Sequence, residues 1–212
     1  MRLLIAIPTL DYIHYEFMKC LTALVMRLKD QHIAFDVQIE GGTLVYVARD
    51  KLANKAINDG YTHVLWLDAD MIFNADVVDD LMFSGKDFVS GIYHARRTPH
   101  FSCLFKSINL CNLERYEDDD YPKDTFEIAG CGFGCVLMKT DVLKAVNHTH
   151  KTCFLPMKDY GEDIAFCKRA TDIGIKIYAE PGVRLGHIGH ITIYPEDRTW
   201  WKERNNYPED KV

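Results

Sequence analysis

The chain has 212 residues, 48% hydrophobic and 26% charged, with 25 basic against 31 acidic side chains and a formal charge of −6. That length suits one domain, and the apolar content excludes wholesale disorder. The acidic balance excludes a global basic footprint for nucleic acid or an anionic membrane, although a local basic groove stays open. No apolar run approaches the ~20 residues needed to span a bilayer. The apolar start is too short for a signal segment and lacks a small-residue cleavage site. The seven cysteines are scattered without a CxxC pair and read as reduced thiols of a cytoplasmic protein.

Leu3–Ile7 is a continuous apolar run, as in a strand buried on both faces. Thr9 or Asp11 is expected to cap the next helix, where Ile13, Phe17, Leu21, Leu24, Val25 and Leu28 recur at helical spacing. Ile33, Phe35, Val37 and Ile39 alternate with Ala34, Asp36 and Gln38, which predicts a half-buried strand ended by Gly41 and Gly42. Leu44 to Ile57 predicts a second helix stopped near Gly60, and His63–Leu67 a third strand ending at Asp68. Asn74 is expected to cap a short helix through about Phe83, and Asp87–Tyr93 reads as a fourth strand. This order predicts an α/β fold: a mostly parallel sheet with helices on both faces. Ligands in such sheets sit outside the carboxyl ends of the strands.

The second half reads as a smaller mixed segment. Residues 94–127 carry polar clusters, including Asp118-Asp119-Asp120, with a strand-like Phe101–Phe105, and are expected to run as a long excursion over the sheet edge. Phe126–Ala129 and Cys135–Met138 look like short strands around Gly130, Gly132 and Gly134. Thr140 is expected to cap a helix to about Val146. Gly161 precedes a helix from Glu162 to Ile173, with Gly174 as its stop. Ile175–Ala179 and Val183–Ile188 are strand-like, and residues 196–212 form a polar tail behind one domain, residues 1–195.

The strongest chemical signal is Asp68-Ala69-Asp70 at the end of the third strand. Two carboxylates two apart at a sheet edge suit a hard divalent cation that also holds phosphate oxygens; the bland reading is an acidic turn. Gly161-Glu162-Asp163 opens a helix, so its acids are either dipole-stabilising caps or a general base facing a cleft. In Gly186-His187-Ile188-Gly189-His190, a histidine among glycines can approach a metal closely, and imidazole suits Mn2+ better than Mg2+. Gly130, Gly132 and Gly134 either let backbone approach a ligand or serve a structural bulge; they match neither a phosphate loop nor a dinucleotide fingerprint. Arg49, in Ala48-Arg49-Asp50, is a surface group or a diphosphate partner. Cys131 and Cys135 have no zinc spacing with His148 and His150 and read as buried small hydrophobes. Tyr194, Trp200 and Trp201 either line a sugar or base or pin the C-terminal segment.

Taken in order, these pieces resemble a small glycosyltransferase of the three-layer α/β/α, Rossmann-like GT-A fold, similar to family 2 glycosyltransferases and to short phage-encoded forms. The resemblance covers about residues 1–192 and is carried by the strand-Pro-Thr start, Glu40-Gly41-Gly42, Ala48-Arg49-Asp50, the DXD, the glycine-rich segment, Gly161-Glu162-Asp163 and Gly186-His187. It implies a hexosyltransferase with a nucleotide-sugar donor, most often a UDP-sugar, and Mn2+ or Mg2+. By that analogy Pro8, Thr9 and Glu40 lie along the nucleoside and Arg49 near the uracil or phosphates. Asp68 faces the ribose and the metal shell, Asp70 binds the metal, and His187 completes its ligands. The glycine segment 130–134, with Gly132 at its centre, floors the sugar pocket. Asp163 is the base of an inverting reaction, with Glu162 positioning it or the acceptor. The analogy is imperfect: Ile164 stands where many members carry an aromatic residue, and an acceptor motif is not evident near the C-terminus. Without a membrane helix or second domain, a soluble acceptor in the cytoplasm, or a host cytoplasm for a phage form, is expected over processive polymer synthesis.

Other readings stay open: a retaining transferase, a nucleotide-sugar-binding protein or a slow nucleotide-sugar hydrolase of the same fold. A phosphatase using the DXD as nucleophile and acid is disfavoured by Ile72 where Thr or Val is needed. A nucleic-acid module is disfavoured by the net charge. The local patch of His94, Arg96, Arg97 and His100 nevertheless keeps modified DNA as one candidate acceptor.

Overall fold

A computed structural model describes residues 1–96, 99–109, 112–117 and 120–189. The first half runs β1 (Arg2–Pro8), α1 (Tyr15–Asp30), β2 (Ala34–Glu40), α2 (Val45–Asn58), β3 (His63–Leu67), β4 (Met71–Ile72), α3 (Val77–Phe83) and β5 (Phe88–Ile92). The second half runs β6 (Leu104–Asn109), β7 (Asn112–Arg115), β8 (Phe126–Ile128), β9 (Gly130–Cys131), β10 (Cys135–Lys139), α4 (Thr140–His150), α5 (Glu162–Asp172), β11 (Ile177–Arg184) and β12 (Gly186–His187).

The main sheet has seven strands in the order β2-β1-β3-β10-β5-β11-β8. Strands β2, β1, β3, β5 and β11 point one way, and β10 and β8 the other. Alternate residues of each central strand serve opposite cores, which is why these strands read as unbroken apolar runs. Leu4, Ala6, Val64, Trp66 and Phe88 pack with α2, α4 and α5. Leu3, Ile5, Ile7, Leu65, Leu67 and Val89 pack with α1 and α3 on the other face. The result is the expected α/β arrangement with helices on both sides.

The mixed part lies at the centre of the sheet as well as in the second half of the chain. β10 slots antiparallel between β3 and β5, pairing Val136 with both Trp66 and Ser90. Its periodicity shows a strand buried on both faces but carries no information about neighbours. The excursion after β5 folds into a second, three-stranded sheet ordered β7-β6-β9. The strand there starts at Leu104 rather than at Phe101. The two strand-like pieces near the C-terminus form one strand, β11, with a register shift against β5 between Ala179 and Arg184, followed by the short β12.

Local expectations fail chiefly at helix starts. α1 begins after His14 with no side-chain cap, and Thr9 instead donates its hydroxyl to the Tyr12 carbonyl at 2.8 Å. Asp76, not Asn74, precedes α3, and Asn74 contributes only its carbonyl to the Val77 N–H. Thr140 is the first helical residue of α4, with its hydroxyl buried and unpaired, and the helix continues to His150. Turn chemistry alone does not say which polar residue near a helix start takes the cap. The stop signals serve better: Gly60 and Gly174 sit at φ +72° and +81°, where glycine carries no Cβ penalty. β2 is one of the sheet's two edge strands, so Phe35 reaches the α1 core while Val37 and Ile39 stay 37% and 42% exposed. Cys131 and Cys135 are buried free thiols. Among the described residues, no helix is long and apolar enough to cross a membrane. Arg97, His190, Tyr194, Trp200, Trp201 and the tail 196–212 lie outside the described residues.

Candidate functional site

The sheet's carboxyl edge gathers the charged motifs. At the end of β3, the Asp68 N–H bonds the Gly134 carbonyl at 3.1 Å, and the Asp68 carbonyl accepts the Met71 N–H, closing a turn. That turn feeds β4, which pairs antiparallel with β12 through Met71 and His187. The Ile188 N–H then bonds the Asp70 carbonyl at 2.8 Å. A pairing of residues more than a hundred positions apart thus places His187 beside Asp70, with Nε2 3.5 Å from Oδ2. His187 Nδ1–H donates to the His94 carbonyl at 2.8 Å, which leaves Nε2 facing the carboxylate. Arg96 also bonds Asp70 Oδ2 through Nη1. Of the patch expected at His94, Arg96, Arg97 and His100, Arg96 turns toward the cleft and pairs with Asp70, while Arg97 lies outside the described residues.

Arg49 rises from α2 with only 2% of its surface exposed. Its Nη2 donates to Asp68 Oδ1 at 2.8 Å, and its Nε lies 3.6 Å from Glu162 Oε1. Nε and Nη1 are buried without a hydrogen-bond partner among the described residues. The next residue explains how this helix is anchored. Asp50 Oδ1 accepts the Cys153 and Phe154 N–H groups at 3.1 and 2.8 Å, so the loop before α5 docks on α2. Phe154 and Phe133 then stand 5.9 and 5.3 Å from the guanidinium carbon of Arg49.

Burial pushes the Asp68 carboxyl above its ordinary value against the pull of Arg49, with Asp70 and Glu162 adding to the rise. Burial also opposes the charge on Asp70, but the His187 hydrogen bond and the charges of His187 and Arg96 outweigh it, and the carboxyl stays low. His187 is raised: burial works against its charge, and the bonds to Asp70 and the His94 carbonyl prevail. Asp163, in the first turn of α5, is pushed up to about 6, by burial first and the Glu162 charge second. Its Oδ1 accepts the Ile164 N–H at 2.7 Å, so capping and a raised carboxyl coexist in one residue.

Two cavities meet at this junction. The first, about 360 Å³, is lined by Pro8, Thr9, Tyr12, Val45 and Asp70 among others. The second, about 450 Å³, is lined by Tyr93, Phe101, Arg115, Gly132, Phe133 and Asp163 among others. Arg49, Asp68, Arg96, Glu162 and His187 line both. Among the residues that the resemblance assigns to the nucleoside, Pro8 and Thr9 line the first cavity, but the Glu40 side chain lines neither. Its carboxylate pairs with Lys51 at 2.6 Å, while its carbonyl accepts the Thr9 N–H. Gly132 has a steric reason to be glycine, since a Cβ there would stand 2.1 Å from the Tyr93 hydroxyl.

Sequence reasoning missed Tyr12, His14 and Val45 in the first cavity, and Tyr93, Cys103 and Arg115 in the second. None carries a motif; the pairing of β6 with β7 and β9 brings the last two to the cleft. Asp70 and His187 supply a carboxylate and an imidazole whose second nitrogen is held by a carbonyl, a donor pair that fits Mn2+ or Mg2+. Among the described residues, no cluster of three or more His, Cys, Asp and Glu side chains could hold a metal by itself.

No family model matches this sequence. No curated protein matches it either. Solved structures do resemble it. The A197 protein from STIV superposes with a TM-score of 0.62 at 20% identity, over 90% of this chain and 87% of that one. GalNAc-T7, solved with UDP, GalNAc and Mn2+, gives 0.57 at 11% identity over 90% of this chain and 43% of its own. The catalytic domain of Drosophila β1,4-galactosyltransferase 7, solved with xylobiose, gives 0.52 at 15% identity over 100% and 82%. The fold is therefore GT-A-like: a large mixed α/β sheet shared with glycosyltransferase structures.

Proposed function

We propose that this chain is a glycosyltransferase that moves a sugar from a nucleotide diphosphate donor, foremost a UDP-sugar, to an acceptor hydroxyl with inversion. One observation carries the reading. Asp68, Asp70, Glu162, Asp163, Arg49 and His187, drawn from four separate stretches of chain, converge where two cavities meet. In this reading the first cavity holds the nucleoside between the 8–14 loop and α2. Arg49, with two buried donors unused, faces the diphosphate. Asp70 and His187 would hold Mn2+ or Mg2+, which supplies Lewis-acid stabilisation of the departing diphosphate when bound. The donor sugar lies over Gly132 in the second cavity. Asp163, with a carboxyl near 6, is ionised at neutral pH and accepts the acceptor hydroxyl's proton as the new glycosidic bond forms. Glu162 orients Arg49 and the incoming hydroxyl. The bound UDP and Mn2+ of GalNAc-T7 support this choice of donor and ion.

The test is calorimetric titration of UDP, with and without Mn2+, into the wild type and Asp70→Ala. The expected result is affinity that requires both the metal and Asp70. Metal-independent UDP binding, or full metal-dependent binding by Asp70→Ala, would place the donor site elsewhere. GDP and CDP run alongside identify a different base.

A further inference from the structure

The second cavity holds a cation for which the proposed reaction has no use. Arg115 ends β7 and lines the cavity that contains Asp163. Its guanidinium carbon lies 4.2 Å from the Phe101 ring centroid and 4.6 Å from that of Phe105, so two aromatic rings hold the fork by cation–π contact. Its Nε is buried with no hydrogen-bond partner among the described residues. Arg2, Arg27, Arg49 and Arg96 each meet a carboxylate, but Arg115 pairs with no acid among the described residues. Glu162 and Asp163 line the same cavity without reaching it.

Buried polar groups are almost always paired, and an unpaired one calls for an explanation such as a missing ligand. A planar guanidinium held by aromatic faces presents parallel donors that match a carboxylate or phosphate. A neutral hexose offers it only hydroxyl acceptors, which form weaker bonds than an anion does. We infer that the second cavity takes a saccharide bearing an anionic group, a carboxylate or phosphate, that docks on Arg115 while the reacting end lies at Asp163. This rests on the glycosyl-transfer reading for the saccharide and adds its charge. The anion belongs either to the donor sugar or to the acceptor, since Gly132 and Asp163 line one cavity with Arg115.

The experiment has two arms, both read by calorimetry on the full chain with Mn2+. The donor arm compares UDP-glucuronate with UDP-glucose. The acceptor arm compares 4-nitrophenyl β-glucuronide and 4-nitrophenyl β-glucoside 6-phosphate with the neutral 4-nitrophenyl β-glucoside, with and without UDP. A charge-assisted pair predicts that in one arm the anionic probe binds about 10- to 100-fold tighter than its neutral partner. Arg115→Gln is expected to erase that preference and Arg115→Lys to keep part of it. UDP affinity, a property of the first cavity, checks that both variants fold. Equal binding of charged and neutral probes in both arms overturns the inference, as does a preference that survives Arg115→Gln. Failure of the wild type to bind UDP would instead defeat the donor reading, and the acceptor arm without UDP would still decide the anion preference.

Discussion

Asp163→Asn separates a catalytic carboxylate from a helix cap, because the two roles predict opposite changes in stability. The folded protein holds the Asp163 proton with a carboxyl near 6, against an ordinary value of 3.8. Each tenfold difference in proton affinity is worth about 1.4 kcal/mol, so ionising this buried group costs the fold about 3 kcal/mol above pH 6. The sign follows from the raised value. The group's contribution is fully favourable below pH 3.8 and is lost as the pH climbs through about 6. Asparagine keeps an oxygen for the Ile164 N–H and removes the charge. The variant is therefore expected to be more stable than wild type by up to about 3 kcal/mol at pH 8, and by only about 0.5 kcal/mol at pH 4. For a domain of this size that gain corresponds to about 6–12 °C in Tm at pH 8. Urea denaturation at both pH values measures it. Transfer is expected to fall by about 10²–10⁴ while UDP affinity holds, and the wild-type kcat/KM is expected to show an acid limb near pH 6 that the variant lacks. A variant destabilised at pH 8, or a gain that does not shrink with acid, would show a satisfied cap and refute the argument.

Two further outcomes follow from the same geometry. Arg49→Ala leaves Asp68 and Glu162 without their buried cation, and is expected to cost about 3–5 kcal/mol in urea denaturation at pH 7. A loss under 1 kcal/mol would mean that water already reaches the pair. Gly132→Ala would set a methyl group 2.1 Å from the Tyr93 hydroxyl. It is expected to destabilise by about 1–3 kcal/mol, with part of the loss recovered in the Gly132→Ala/Tyr93→Phe double variant, and no recovery would locate the strain elsewhere.

The chain's local chemistry announces the central strands and the acids but not the partners of either. Leu3–Ile7 and His63–Leu67 read correctly because burial on both faces writes an unbroken apolar run. Asp68 and Asp70 emerge at the sheet's edge as expected, because the end of β3 fixes where the next side chains leave the strand. The place of β10 at the sheet centre is not written locally, since an antiparallel insertion uses the same residues as any buried strand. Arg115 carries no local signal for a related reason: its role depends on Phe101 and on Phe105, and the β6–β7 pairing sets the latter opposite it. Glu40 shows the reverse case, a motif residue whose carboxylate finds Lys51 instead of the cleft.

The charges at the junction favour a metal in the proposed donor site. Among the described residues, the permanent cations that pair with Asp68, Asp70 and Glu162 are Arg49 and Arg96, with His187 as a titratable third; Arg115 lines the Asp163 cavity without pairing. A diphosphate entering that cluster adds negative charge to an already acidic site of low dielectric, where repulsion is stronger than in water. Arg96 already spends its charge on Asp70, so it must either release that carboxylate to meet the phosphates or stay and contribute little. In the proposed reading, a divalent cation held by Asp70 and His187 would meet both demands, neutralising Asp70 and freeing Arg96 for the diphosphate. The affinity for UDP is accordingly expected to rise with Mn2+ in the wild type. In Arg96→Ala, UDP binding should retain its metal requirement but lose strength. Binding that became metal-independent without Arg96 would show that the guanidinium, rather than the acidic cluster, created the need for the ion.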